Sequence, residues 1–228
     1  MEKDTKAKII ETLSTKFSTK LNVYALALHQ FAEMKKQIEE IATSYQQELV
    51  QIDPRISITY RDRGDFEAEL KVGGDVLIFS LHTNIFQFDS DNFQWKTSYL
   101  KDNEQNGFCA VISIYNFIAD SLKYNRMEDL GYLIGRIFIN RENHFFVEGK
   151  RQLGFLYNSF SDSIFDSESQ KNIIESAMLY ALNFDLFVPK YDDVSITNVS
   201  KIEENIEMSL AKTGKRIGFV FSSEADEI

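Results

Sequence analysis

Ile10, Phe17, Tyr24, Phe31, Ile38 and Tyr45 recur at every seventh position, an apolar seam without a miss. A second seam, Leu13, Lys20, Ala27, Met34, Ile41 and Glu48, is apolar at four of six positions, and Leu21, Leu28, Ala42 and Leu49 widen the stripe. Residues three, four and seven apart share one face of a helix, so the spacing predicts helix from near residue 5 to near residue 50. Ser and Thr in "STKFSTK" are weak helix formers and mark the place for a break. A periodic run this long without a stop signal suggests a coiled coil or bundle arm. Aromatics at four of the six first-seam positions are bulky for a simple two-stranded coil. The helix is therefore expected to pack on the rest of the chain, on a second copy, or on both.

Pro54 closes the helical regime, and alternating runs follow. Ile56, Ile58 and Tyr60 share one face against Ser57, Thr59 and Arg61, and Phe66, Ala68, Leu70 and Val72 do so against Glu67, Glu69 and Lys71. "DVLIFSLH" is apolar on both faces, as in a buried strand, and "DRGD" and "VGGD" supply turns. These runs predict an antiparallel meander, with a further short strand in "NIFQFDSDNFQW". "GFCAVISIYNFIADSLKY" places Phe108, Val111, Ile112, Tyr115, Ala119 and Leu122 at helical spacing and is read as mainly helical. "GYLIGRIFIN" and "HFFVEGK" flank "NREN" as a β-hairpin. Ser167 and Gln170 form a capping box before a helix with Ile174, Ala177, Met178, Ala181 and Leu182 inward. Ser200 and Glu203 announce a last helix, and "KRIGFVF" reads as a final strand. Strand groups and helices are segregated rather than alternating, so the fold class is α+β around an antiparallel or mixed sheet. The expected division is a helical arm over 1–50 and an α+β domain over 51–228.

Composition narrows the function classes. Hydrophobic residues at 43% and charged residues at 26% suit a chain that buries a sizeable core, and 19 Phe with 10 Tyr make that core aromatic. A net charge of −10 disfavours nucleic acid and anionic membranes as partners, because phosphate binding needs a concentrated positive field. No run of eighteen apolar residues offers a membrane span. "MEKDTKAKIIETLS" lacks the apolar core of a secretory signal, and the single Cys109 reads as a packing residue, so a reducing cytoplasm is expected. "VGGD" lacks the spacing of a phosphate loop, and His29, His82 and His144 have no ligand-spaced companion. No metal site and no cofactor is expected from these residues.

The densest mixture of charge and aromatics is "GRIFINRENHFFVEGKRQLGF", residues 135–155. With "NREN" as the loop, Ile139 is expected opposite His144 and Gly135 opposite Glu148. That register puts Glu148 and Lys150 on one face, and Arg136 and Arg151 on the other. Arg136, Arg141, Lys150 and Arg151 against Glu142 and Glu148 leave a local +2, which fits an anionic small molecule held by Arg forks over an aromatic floor. Sheet-edge ion pairs, with Lys and Arg stems lying over aromatics, account for the same residues without a ligand. "VEGK" resembles the acid-x-lysine strand motif of restriction-endonuclease-like nucleases. That resemblance implies Glu148 helping to hold Mg²⁺ and Lys150 stabilising charge, with a further carboxylate nearby. Phe93, Trp95 and Tyr99 in "DNFQWKTSYL" are either partner anchors or a cover for the end of the sheet. The reading favours a non-catalytic interaction or ligand-sensing module that associates with a protein partner or with itself. A metal-dependent nuclease or phosphodiesterase is the alternative.

Overall fold

The computed structural model describes residues 2–89, 91–124, 129–150, 153–154, 159–184, 186–187 and 219–220. Helix α1, Glu2–Thr12, runs through a wider π-turn, Leu13–Phe17, into α2, Ser18–Ile52. The expected break is thus a widening. Its cause lies in the hydroxyls: Ser14 Oγ and Thr15 Oγ1 donate to the Glu11 carbonyl at 3.1 and 2.7 Å, and Thr19 Oγ1 donates to the Thr15 carbonyl at 2.9 Å. Such bonds compete with the backbone ladder without ending it.

Strands β1 (Ile58–Asp62), β2 (Glu67–Val72) and β3 (Asp75–Leu81) form the expected meander. β4 (Phe86–Gln87), β5 (Phe108–Ile118), β6 (Tyr132–Asn140) and β7 (Phe145–Gly149) complete a seven-stranded antiparallel sheet ordered β1-β2-β3-β5-β6-β7, with β4 on β5. Short helices α3 (Ser98–Asp102) and α4 (Ala119–Lys123) punctuate the connections, and α5 spans Ser167–Leu182. Leu186–Phe187 and Phe219–Val220 form a separate parallel pair. The fold is α+β.

Helices α2 and α5 cover one face of the sheet. Between them and the strands lie Phe31, Met34, Ile38, Leu70, Phe79, Ile112 and Ile174, all fully buried. Tyr45 donates its hydroxyl to Glu175 across the two helices, and that carboxylate pushes the phenol up to about 12. The seam divides sharply: Phe31 and Ile38 are core, whereas every side chain over residues 4–18 is exposed. Burial begins at Thr19, after the Lys16 ammonium has reached over the Phe108 ring at 5.7 Å, so the part that stands clear is far shorter than 1–50.

Three expectations are corrected. The segment from Phe108 is strand, not helix; β5 is central, paired with β3 and β6, and buried at most of its positions. A strand buried on both faces loses its alternation, which let helical spacing fit by coincidence. Helix α5 is capped by Asp166, which accepts from the Ser169 amide at 2.8 Å, while Gln170 turns inward and donates to Gln30 at 2.9 Å. Leu182, expected inside, is 57% exposed. The helix through Ile202, Ile206 and Leu210 lies outside the described residues.

The hairpin register is the third correction. Ile139 pairs with Phe145, Ile137 with Val147 and Arg136 with Glu148. Asn143 sits at φ 61°, so the loop is the three-residue type that ends in a left-handed residue. This moves the pairing by one residue and exchanges the faces of β7 relative to β6.

Candidate functional site

On the face of the sheet opposite α2 and α5, the corrected register brings Phe138 over Phe146. Their rings are parallel within 3° at 4.7 Å. Phe88 leans on both, and Phe160 meets Phe146 edge-on at 5.2 Å. Leu100, Cys109, Trp95 and Tyr99 complete this second apolar cluster. Burial pushes the Cys109 thiol well above its ordinary range, so it packs rather than reacts.

A groove of about 800 Å³ opens beside the stacked rings, lined by Phe88, Asn92, Phe93, Arg136, Glu148 and Gly154 among others. A Cβ on Gly154 would stand 2.3 Å from the Gly149 carbonyl oxygen, so only glycine lets the two backbone segments close this end. The Arg136 guanidinium meets the Glu148 carboxylate at 3.0 Å on the rim. With a carboxylate already on Arg136, an added anion there feels repulsion as well as attraction, and the two offset at equal distance.

The expected cationic patch does not gather in one place. Arg141 lies at the hairpin tip, where it donates to Gln105 at 2.7 Å and lies 3.8 Å from Glu142. Lys150 is exposed past the end of β7, anchored through its amide to the Ile134 carbonyl at 3.0 Å. Arg151 lies outside the described residues. The carboxylate partner that the nuclease resemblance needs beside Glu148 does not appear among the described residues lining the groove. Among the described residues no three His, Cys, Asp or Glu side chains are grouped so that they could hold a metal ion.

Of the three aromatics, Phe93 is 60% exposed at the groove, and the other two are engaged within the chain. Trp95 donates its indole N–H to the Asp89 carbonyl at 2.9 Å and lies over Gly107. Tyr99 donates to Glu142 at 2.6 Å, accepts from Asn140 at 2.8 Å and stacks on His144 at 5.2 Å. Burial first, then that carboxylate, raise its phenol. His82 caps its own turn by accepting from the Asn84 amide at 3.0 Å.

Away from this groove, one feature fell outside the sequence reading and another was read in the sequence as part of the helical seam, without Ile9. A cleft of about 480 Å³ between β1, β2 and α4 is lined by Arg61, Arg63, Lys71 and Lys123 with Glu69 and Asp120. Arg61 and Lys71 were legible as the polar side of alternating strands, but nothing in the sequence brings Lys123 to them. The other feature is the exposed stripe of Ile9, Leu13, Phe17 and Leu21, between 55% and 57% accessible. Four-residue spacing drifts by about 40° per step in an α-helix, and the wider π-turn takes up part of that drift.

Comparison with protein families, curated proteins and solved structures finds no match to this chain.

Proposed function

We propose that this chain is a non-catalytic interaction module that pairs with a second copy of itself through its N-terminal helix. The observation that carries the reading is the stripe Ile9, Leu13, Phe17 and Leu21, exposed on a helix whose side chains over residues 4–18 are all solvent-accessible and whose contact with the sheet there is the Lys16 ammonium, 5.7 Å from the centroid of the Phe108 ring. A helix of that length without a tertiary face is marginal in water, and an uncovered apolar line of this kind marks a contact surface.

The occupant follows from the symmetry of the stripe. Its spacing is the same read in either direction about residue 15, so two antiparallel copies place Leu13 against Phe17 of the second copy and Ile9 against Leu21. Such a two-fold contact is self-complementary. The charges agree with it. Lys16 falls opposite Ser14, Lys8 opposite Asn22 and Glu11 opposite Thr19 with Lys20 next in line, so no like charges meet.

Sedimentation equilibrium of the full chain tests this reading. The wild type should show twice the 26.4 kDa chain mass as concentration rises. Leu13→Asp with Phe17→Asp should hold it at the single-chain mass while the unfolding transition of the sheet stays in place. A wild type that remains single at every concentration, or a doubly substituted chain that still associates, overturns it.

The aromatic groove supports a second reading, as a site for a flat apolar group whose acceptor atoms meet Arg136. Its support is the groove wall of Phe88, Phe93 and Phe138, with Phe138 stacked on the buried Phe146, beside a guanidinium with donors remaining.

A further inference from the structure

We propose that the cleft between β1, β2 and α4 binds a dianionic group, a phosphate monoester carried on a small organic body. The site is assembled from distant parts of the chain. Arg61 pairs in register with Glu69, and Thr59 with Lys71, which makes Arg61 and Lys71 diagonal neighbours on one face of the sheet. Arg63 reaches Glu69 at 3.3 Å. The Ala119 amide donates to the Gly74 carbonyl at 2.9 Å and so fastens α4, with Lys123, across the β2–β3 turn. Gly73 makes that turn at φ +60°.

Four cations against two carboxylates leave the lining with a net +2 on a chain of net −10. Glu69 is taken by Arg63, and Asp120 is 4% exposed. Among the described residues Arg61, Lys71 and Lys123 form no ion pair, and the Lys123 ammonium lies 5.0 Å from the centroid of the Tyr124 ring. Glu69 lies across from Arg61 and two residues before Lys71 on the same face, so this one carboxylate stands among Arg61, Arg63 and Lys71 and leaves their positive charge in excess. A phosphate monoester carries close to two negative charges at neutral pH and three acceptor oxygens, matching the excess charge of the lining. Guanidinium groups grip such oxygens in pairs, and lysine supplies point charge. Val76, Ala119 and Leu122 give the walls an apolar share for the organic body, and the volume lies in the range of small-molecule sites.

The probe is phenyl phosphate titrated into the full-length protein, with benzenesulfonate as the monoanion carrying the same ring. Amide NMR should show saturable shifts at Gly73, Ala119 and Lys123 with phenyl phosphate. Binding should be at least tenfold weaker for the sulfonate, and should weaken as pH falls through about 6, where the phosphate gains a proton. Arg61→Ala with Lys71→Ala, at positions outside the core, should reduce affinity tenfold or more. Equal response to both probes, shifts centred on the hairpin instead, or affinity unchanged in the double variant would overturn the proposal. The stripe substitutions leave this cleft intact, so it and the pairing can fail separately.

Discussion

Phe31→Ala should lower the unfolding free energy by about 4 kcal/mol, the range for emptying a buried aromatic site. Phe31 is fully buried where α2 crosses the sheet, in one cluster with Met34, Leu70, Phe79 and Ile112. Alanine is the better helix former, so the loss comes from packing and not from α2 itself. Phe17→Ala, two heptads earlier in the same seam, should leave the urea midpoint of dilute protein near wild type, because Phe17 is 55% exposed. The two positions are equivalent in sequence and opposite in consequence. A Phe31→Ala midpoint close to wild type would mean that α2 does not hold the core. A Phe17→Ala midpoint that falls as far would mean that the stripe is already covered within one chain.

Asn140→Ala should cost about 3 kcal/mol and loosen the hairpin. Asn140 is fully buried, and its amide donates to Tyr99 at 2.8 Å and the Asn106 carbonyl at 3.3 Å. Its side-chain oxygen accepts from the amides of Glu142 at 2.9 Å and His144 at 3.1 Å. Alanine leaves these partners without a replacement, and each buried polar group left unmade costs roughly 1–3 kcal/mol. The same four bonds fix the three-residue loop and hence the register that stacks Phe138 on Phe146. Hydrogen exchange should therefore accelerate at the amides of Phe145, Phe146 and Val147 beyond what global destabilisation gives. A loss below 0.5 kcal/mol, roughly the level of an ordinary surface change, would show that the loop holds without Asn140.

The long helix and the meander were legible because their patterns are local. A seam every seven residues and the alternation of β1 and β2 each report one buried face. β5 was not legible because both its faces are covered, and a continuous apolar run reads as either element. The hairpin was read correctly as a hairpin and one residue out of register. The left-handed conformation of Asn143 decided the loop length, and asparagine is the non-glycine residue most at home there. That single step placed Glu148 opposite Arg136 and dispersed the expected patch. The cleft at Arg61 was hidden for a different reason: its cations come from β1, β2 and α4, and only the sheet order brings them together.

Antiparallel pairing through the stripe is tested most directly by a distance between copies. Lys6 is exposed in α1, whereas the native Cys109 is 1% exposed and shielded from labelling. A spin label on Lys6→Cys should report one distance of roughly 27–30 Å between the two copies, because antiparallel pairing about residue 15 sets them eighteen residues apart at about 1.5 Å per residue. The peak should vanish with Leu13→Asp and Phe17→Asp. A separation near 10 Å, the spacing of helices packed side by side in parallel, or no distance between copies at all, would contradict the account.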